Sequence, residues 1–161
     1  MLEKFQKAFE NLSKGKYDEG IEALKELINN EIVANEMAEL RYQCYFNLAL
    51  VYEERNAIRE ALLYYYKCVS MKENDFNIWL KLSNYCMRLH SFEQAEYCYQ
   101  NCLKYIPTSF YEQMLFEKMI YTAFLTKNYS GCLQRIDFLL PKNYKKPELL
   151  LLKGVVSKLK G

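Results

Sequence analysis

The chain has 161 residues, of which 51% are hydrophobic and 26% are charged, and its formal net charge is +2. This composition is typical of a globular protein, and the interleaved acidic and basic residues exclude the basic surface that a nucleic-acid backbone requires. No apolar run approaches the roughly 18 residues of a membrane span, and the first residues lack a signal peptide, so we expect an intracellular protein.

Two helices are predicted at the start of the chain. Three prolines and five glycines leave few of the turns that strands need, so we expect an almost entirely helical protein. Apolar residues at helical spacing mark the first helix, with Phe5, Ala8, Phe9 and Leu12, and the second, with Ile21, Leu24, Leu27 and Ile28. Gly15 lies in the predicted turn, and Gly20 permits close packing of the two helices.

An insertion follows in residues 29–40. Gly20 and Ala61 hold the same position in successive units but lie 41 residues apart, whereas Ala61 and Ala95 lie 34 apart. Asn29 and Asn30 could end the second helix early in a loop, or the helices on either side could each run one turn longer, because residues 31–40 contain no glycine or proline to force a break. We expect a short loop at residues 29–35 and a lengthened helix after it.

The middle of the chain repeats with a period of 34 residues. Seven positions correspond when the sequence is shifted by 34 residues, and at most of them an aromatic residue matches an aromatic one or a small residue matches a small one. The first set is Trp79, Leu82, Ser83, Cys86, Ala95, Tyr99 and Cys102, and the corresponding set is Tyr45, Leu48, Ala49, Tyr52, Ala61, Tyr65 and Cys68. With Pro107, these residues match the W-x2-L-G-x2-Y…A-x3-F…P pattern of the tetratricopeptide repeat. The chain therefore resembles tetratricopeptide proteins, and this resemblance implies stacked helix pairs that hold partner proteins.

Helix ends in this part of the chain have recognisable signals. Asp75 is suited to cap the helix that carries Trp79. Ser91 and Gln94 form a capping-box pattern, in which the hydroxyl accepts from a backbone N–H and Gln94 reaches back to the start of the helix. Pro107 ends the third unit, because it cannot donate a helix hydrogen bond.

A fourth unit and a last helix complete the pattern. Cys132 follows Ala95 by 37 residues, so three residues have been added near Pro107. The apolar stripes of the fourth unit are Phe116, Met119, Ile120 and Ala123, then Leu133, Ile136, Leu139 and Leu140. Pro147 begins a helix that places Leu150 and Gly154 at the Trp and Gly positions of a fifth unit without a second helix.

These observations predict an all-α protein, an antiparallel helix-pair, right-handed superhelical solenoid of the tetratricopeptide type. It has about four repeats and a C-terminal capping helix. We expect a single domain over residues 1–161, as a fragment of a longer protein. The predicted units are about 1–41, 42–75, 76–112 and 113–146, with the capping helix at 147–160.

No catalytic, cofactor or metal site is predicted. The six cysteines include no C-x2-C pair, and Cys68, Cys102 and Cys132 occupy small buried positions of the repeat. The only histidine, His90, falls in a turn where the pattern places no catalytic partner. The glycines are isolated and form no phosphate-binding loop. We therefore expect a protein that is not an enzyme.

The resemblance assigns a partner-binding groove to the first helices of the units. The predicted groove residues are Phe46, Asn47, Leu50, Leu80, Lys81, Asn84, Met87, Arg88, Tyr121 and Phe124. This mixed and rather apolar set suits an amphipathic helix with a few polar anchors. Burial by neighbouring helices is an open alternative for Phe46, Leu50, Leu80 and Met87. A subclass of the family clamps the carboxylate of chaperone tails, and only Asn47 matches its residues, so we expect no such clamp.

Residues 5–155 also resemble the N-terminal repeats of cabin-type proteins, the large tetratricopeptide subunit of the HIRA-type histone chaperone. The likeness rests on Asn77, Trp79, Lys81 and residues 87–89, and it continues at the turn that begins with Tyr129. It implies a nuclear scaffold that helps to assemble a histone-depositing complex and has no active site of its own. From charge and hydropathy, we expect direct contact with neither nucleic acid nor membrane. Two hypotheses follow: a scaffold in a nuclear assembly of the histone-chaperone type, or a cytoplasmic peptide-binding adaptor or co-chaperone without a carboxylate clamp.

Overall fold

The computed structural model describes residues 1–161, and every regular element in it is a helix, which confirms the all-α prediction. Ten α-helices follow one another, with one turn of 3₁₀-helix at Leu140–Lys142 before the last of them. None combines the length and the apolar character that crossing a bilayer demands. The α-helices are α1 (Leu2–Ser13), α2 (Tyr17–Asn29), α3 (Glu31–Asn35), α4 (Ala38–Glu54), α5 (Ile58–Met71), α6 (Phe76–Arg88), α7 (Phe92–Lys104), α8 (Phe110–Leu125), α9 (Tyr129–Leu139) and α10 (Lys146–Lys160).

The helices form two compact units, Met1–Asn74 with α1 to α5 and Asp75–Gly161 with α6 to α10. In the first unit, α1 packs against α2, α4 packs against α5, and α2 contacts α4. In the second unit, α6 packs against α7, α8 against α9, α7 contacts α8, and α10 packs against α9. These helix pairs are the repeating element that the period of the sequence predicted. The exact limits of the repeats and of the capping helix stay predictions.

Each of the four helix pairs is joined by the same tight turn. One residue of each turn has a left-handed backbone conformation: Gly15 (φ 74°), Asn56 (φ 55°), His90 (φ 57°) and Lys127 (φ 56°). These four positions lie 41, 34 and 37 residues apart. The same spacings separate the small residues from which the sequence register was derived, so the turns confirm that register independently.

Backbone hydrogen bonds identify this turn as a Schellman motif. In the third pair, the N–H of His90 donates to the carbonyl of Met87 at 3.1 Å, and the N–H of Ser91 donates to the carbonyl of Cys86 at 2.8 Å. Equivalent bonds occur at the other three turns. The only histidine therefore has a structural position, which is the left-handed residue of a helix-ending turn.

Replacing Lys127 with glycine should stabilise the second unit by about 1 kcal/mol, because a residue with a Cβ is disfavoured in the left-handed conformation. The matched change is Gly15→Ala, where the added Cβ would meet nothing within 4 Å and only the backbone conformation is penalised. We expect Gly15→Ala to lower the free energy of unfolding by about 1 kcal/mol. Urea denaturation measures the free energy of unfolding of both variants. If Lys127→Gly has the same free energy of unfolding as the wild type, the left-handed conformation of Lys127 carries no cost.

The insertion after α2 forms a short helix instead of the loop that we predicted. Residues 31–35 make α3, whose Val33 side chain is fully buried. The reason is local, because the Asn30 side chain caps this helix by accepting a hydrogen bond from the N–H of Ile32 at 3.1 Å. The lengthened helix after it is confirmed, since α4 has 17 residues.

One of the two predicted capping signals works as expected. Asp75 caps α6, where its carboxylate accepts from the N–H groups of Asn77 at 3.0 Å and Ile78 at 3.2 Å. Ser91 is the N-cap residue of α7, but its side chain makes no capping hydrogen bond, so the predicted capping box is wrong. The N–H that Gln94 would have to reach already donates to Cys86 in the Schellman turn.

An ion pair joins the second helices of the two pairs in the second unit. Arg135 on α9 contacts the carboxylate of Glu96 on α7, and the two side chains are only 16% and 22% exposed. Arg135 Nη1 also donates to the carbonyl of Met119, and Gln100 Nε2 donates to Glu96 Oε1, both at 3.3 Å. The other carboxylate oxygen of Glu96 is buried without a hydrogen-bond partner. Arg135 is thus the main compensation for the charge of Glu96.

Candidate partner-binding groove

Three of the predicted groove residues lie on α4 in the first unit. Phe46 is half-buried, because its ring stacks on Tyr42 at 6.3 Å and meets the ring of Tyr65 edge-on at 6.5 Å. The side-chain amide of Asn47 donates to the carbonyl of Gln43, one turn earlier in the same helix. Leu50 is 37% exposed. On this helix, part of the predicted surface is therefore engaged in packing, and Leu50 is its most accessible residue.

Five predicted residues lie on α6 in the second unit. Asn84 and Arg88 are exposed, and the Arg88 guanidinium lies over the Tyr85 ring at 5.8 Å. Leu80 and Lys81 are half-buried. Met87 is also half-buried, and its sulfur accepts from the Thr122 hydroxyl of α8 at 3.5 Å.

A cleft of about 700 Å³ opens between α6 and α8, and we call it the α6–α8 cleft. It brings together three residues that the sequence predicted to share a surface, Asn84, Met87 and Tyr121. The rest of its lining is Tyr99, Met114, Glu117 and Lys118. Two thioethers and two aromatic rings give this cleft an adaptable apolar floor, and the polar groups offer hydrogen-bonding positions.

A second cleft of about 360 Å³ lies between α8 and α10, and we call it the α8–α10 cleft. It holds the predicted residues Tyr121 and Phe124. The other lining residues are three aliphatic side chains, one tyrosine and three charged side chains: Ile120, Leu149, Leu152, Tyr144, Glu117, Lys145 and Glu148. Because Glu117 and Tyr121 line both clefts, the two clefts adjoin along α8.

A hydrogen-bonded cluster fixes the start of α10 against α8 beside this second cleft. The carboxylate of Glu117 accepts from the Tyr144 hydroxyl and from Lys145 Nζ, each at 2.6 Å. Partial burial raises the pKa of Glu117, but the hydrogen bonds from Lys145 and Tyr144 outweigh it, so the pKa lies below its usual value. The same contact with Glu117 raises the pKa of Tyr144. Glu117 is therefore an ionised anchor at the boundary of both clefts.

Sequence reasoning missed several residues of the clefts. Met114 lies on α8 three residues before Glu117 and seven before Tyr121, so the helical period would have included it. The three-residue addition before α8 obscured the start of that helix. Tyr99 was identified only as a characteristic position of the repeat pattern, and it is 2% exposed although it lines the α6–α8 cleft. Burial raises the pKa of Tyr99 to about 12, so its hydroxyl stays protonated.

The cysteines contribute packing surface. All six are free thiols and all are buried. Burial raises the pKa of Cys44 to about 11 and that of Cys102 to about 12, which keeps both as thiols at neutral pH. The structure contains no group of three or more His, Cys, Asp and Glu side chains arranged to hold a metal ion.

Comparison with known families agrees with the pattern of the sequence. The family described as the CABIN1 N-terminal domain matches residues 2–160, which confirms the likeness to the N-terminal repeats of cabin-type proteins. Human General transcription factor 3C polypeptide 3 is 28% identical over 116 residues, which cover 66% of this chain and 12% of that protein. The chain thus spans a small part of the length of this curated relative.

Solved structures show the fold. A tetratricopeptide repeat protein from Parabacteroides merdae matches with a TM-score of 0.64 at 23% identity, over 99% of this chain and 59% of that chain. The MamA protein matches with a TM-score of 0.64 at 12% identity, over 100% of this chain and 85% of that chain. The structure of Naa15/Naa10 bound to HypK gives a TM-score of 0.61 at 14% identity, over 99% of this chain and 23% of that chain. The predicted tetratricopeptide type of helical repeat is confirmed.

Proposed function

Because the chain belongs to the CABIN1 N-terminal domain family, we propose that it is a non-catalytic interaction scaffold in a multi-subunit nuclear assembly of the histone-chaperone type. The tetratricopeptide fold supports the scaffold role, since stacked helix pairs expose surfaces that hold other proteins. The nuclear role is supported by the cabin-type likeness and by the curated relative, whose name describes a general transcription factor. Buried thiols and a histidine confined to a turn support a role without catalysis.

The observation that carries this proposal is the pair of adjoining clefts along α8. Their lining combines apolar and aromatic side chains with a few polar groups, which is the chemistry of a groove that takes an amphipathic helix. A structural relative supports a protein as the occupant, because it is a complex in which Naa15/Naa10 is bound to HypK. We therefore propose that a helix of another subunit lies along α8.

Tyr121 is the proposed anchor of this contact. It lies in both clefts and is 58% exposed, so a partner can cover a large aromatic surface there. Asn84 and Lys118 lie in the α6–α8 cleft and are proposed as polar contacts. The remaining predicted groove residues of the second unit, which we propose as secondary contacts, are Leu80, Lys81, Met87, Arg88 and Phe124. Phe46, Asn47 and Leu50 are proposed as contacts of the first unit by itself.

Substituting Tyr121 with glutamate should weaken partner binding by at least about tenfold, which corresponds to about 1.4 kcal/mol. The charge would lie in both clefts, where it opposes burial of an apolar partner face. The matched control is Phe110→Glu, because Phe110 is also an aromatic residue on α8, is 80% exposed, and lines neither cleft. Circular dichroism should show that both variants keep the helical content of the wild type.

Affinity capture from nuclear and cytoplasmic extracts tests the proposal. The wild-type chain, Tyr121→Glu and Phe110→Glu would be immobilised at equal density, and bound proteins would be quantified by mass spectrometry. We expect subunits of a nuclear chromatin assembly on the wild type and the control but not on Tyr121→Glu. Capture of cytoplasmic chaperones or their clients would favour the adaptor hypothesis, and equal capture by all three proteins would remove the clefts as the contact.

A further inference from the structure

A third cleft, of about 310 Å³, lies between α7, α8 and α9 in the second unit, and we call it the α7–α9 cleft. Its first wall, α7, belongs to the third helix pair, and its other walls, α8 and α9, form the fourth pair. It shares no lining residue with the α6–α8 cleft or the α8–α10 cleft, so the proposed function does not use it. The lining residues that matter for its chemistry are Phe92, Glu93, Glu96, Thr122, Thr126 and Arg135.

The carboxylate of Glu96 has one oxygen that lacks a partner. Its Oε1 atom accepts from Arg135 and from Gln100. Its Oε2 atom is buried and accepts no hydrogen bond. A carboxylate oxygen taken out of water without a donor is costly. Because the terminal torsion of a glutamate side chain is soft, a small rotation turns this oxygen toward a donor that enters the cleft.

The two threonines of the cleft also offer acceptors. The hydroxyl of Thr122 donates to the carbonyl of Lys118 at 2.9 Å. The hydroxyl of Thr126 donates to the carbonyls of Thr122 and Ala123, each at 3.1 Å. A hydroxyl has one proton and two lone pairs, so each oxygen keeps the capacity to accept once its proton is used. The α7–α9 cleft therefore suits a ligand that supplies hydrogen-bond donors.

The charges of the lining favour a cation. Glu93 and Glu96 carry two negative charges and Arg135 carries one positive charge, which leaves one negative charge in the lining. The C-terminal end of α8 and the N-terminal end of α7 both lie at this cleft, and their partial charges oppose each other. A ligand with a single positive charge therefore matches the cleft.

The number of acceptors distinguishes among cations. A metal ion needs more ligands than two carboxylates of which one is already paired, and the structure has no group of three or more side chains arranged for one. A guanidinium group binds best to both oxygens of one carboxylate, but Glu96 has only one left. A primary ammonium group has three donors, which match Oε2 of Glu96 and the hydroxyl oxygens of Thr122 and Thr126.

An aromatic wall leads to these acceptors. A neighbouring cleft of about 390 Å³, at the turn between α6 and α7, shares Phe92, Glu93 and Thr126 with the α7–α9 cleft. The half-buried ring of Phe92 meets the ring of His90 edge-on at 5.8 Å. An aromatic ring beside a carboxylate suits an alkyl chain that ends in a positive charge, because the chain packs on the ring and the charge reaches the oxygens.

We propose that the α7–α9 cleft binds a primary alkylammonium group. Glu96, Thr122 and Thr126 hold the ammonium by hydrogen bonds, and Glu93 adds electrostatic attraction. Two sources supply this chemistry, a lysine side chain of a partner protein and a free polyamine. The site is independent of the helix contact proposed along α8, because the clefts have no lining residue in common.

An NMR titration of the complete 161-residue chain tests the proposal. The probes are the Nα-acetyl methylamides of lysine, norleucine and arginine, together with putrescine. The norleucine probe has the alkyl chain of lysine without the ammonium group. Shifts of the backbone amide signals of Glu93, Glu96 and Thr126 measure the binding of each probe.

We expect the lysine probe to bind at least about tenfold more tightly than the norleucine probe and about threefold more tightly than the arginine probe. Putrescine distinguishes the two sources. If putrescine binds more tightly than the lysine probe, the ligand is a free amine, and if it binds more weakly, the ligand is a lysine side chain.

Glu96→Gln should weaken binding of the lysine probe at least about tenfold, because it removes the charge while it keeps an oxygen for Arg135. The matched control is Asp137→Asn, which makes the same change of charge at an exposed position of α9 that lines none of the three clefts. This control should bind the probe as the wild type does. Thr126→Val replaces one acceptor with a methyl group at an exposed position, and we expect about threefold weaker binding.

Several results would overturn the proposal. Equal binding of the lysine and norleucine probes would show that apolar contact alone is measured, and equal binding of the lysine and arginine probes would remove the ammonium assignment. Unchanged binding in Glu96→Gln, or an equal loss in Asp137→Asn, would show that the probe binds elsewhere. If circular dichroism shows that Glu96→Gln has lost helical content, Thr126→Val decides, and unchanged binding in that variant contradicts the site.

Discussion

Replacing Trp79 with alanine is expected to lower the free energy of unfolding of the second unit by roughly 3 to 5 kcal/mol, the usual cost of removing a large buried aromatic side chain. Trp79 is 4% exposed, and its ring meets Tyr97 of α7 edge-on at 5.8 Å. It occupies the position of the repeat where the first helix of a pair packs on the second. Its loss therefore leaves a cavity between α6 and α7.

Urea denaturation followed by circular dichroism measures this effect, because the variant loses the only tryptophan and with it the fluorescence signal. Phe110→Ala is the control. It removes another large ring, but from a residue that is 80% exposed, and we expect a change within about 0.5 kcal/mol. A loss below about 1 kcal/mol in Trp79→Ala would show that this position does not hold the helix pair together.

The repeating part of the fold was predictable because it depends on residues at fixed offsets. Aromatic and small residues 34 positions apart placed Trp79 with Tyr45 and Ala95 with Ala61, and all these positions except the half-buried Tyr45 are in the core. The left-handed turn residues fall at the same intervals, although Asn56, His90 and Lys127 share no side-chain chemistry. Their conformation follows from the Schellman hydrogen bonds of the backbone, so residue type alone does not reveal it.

Local signals failed where a neighbouring structure used the same groups. Ser91 and Gln94 are the residue types of a capping box. The N–H of Ser91, which the Gln94 side chain would have to accept, already donates to the carbonyl of Cys86 in the turn before α7. The stretch around Asn30 was assigned to a loop because two asparagines follow each other. The side chain of Asn30 instead caps the five-residue helix α3, and burial of Val33 stabilises this helix.

The candidate site was predictable only helix by helix. Positions such as Asn84, Met87 and Tyr121 follow from the groove positions of the family, and the structure places these three in one cleft. The contribution of α10 was not predictable, since Glu117 meets Tyr144 and Lys145 across 27 and 28 residues of sequence. No periodic pattern specifies such contacts, because they depend on how α8 and α10 pack.

The ion pair between Glu96 and Arg135 is a further contact that the sequence hides, because its members are 39 residues apart. We expect Arg135→Met to lower the free energy of unfolding by about 2 to 4 kcal/mol, somewhat less than for a fully buried pair. The methionine can fill the apolar part of the space, but the Glu96 carboxylate would lose its cation. One of its oxygens already lacks a hydrogen-bond partner, so little remains to compensate the buried charge.

A double variant, Glu96→Leu with Arg135→Met, separates the cost of an unpaired charge from the loss of packing. Replacing both members of a buried ion pair with apolar residues is often neutral, so the double variant should recover most of the stability that the single variant loses. Both are measured by urea denaturation at neutral pH. If the double variant is no more stable than Arg135→Met, the loss comes from packing around α9, and the carboxylate of Glu96 is solvated well enough to dispense with Arg135.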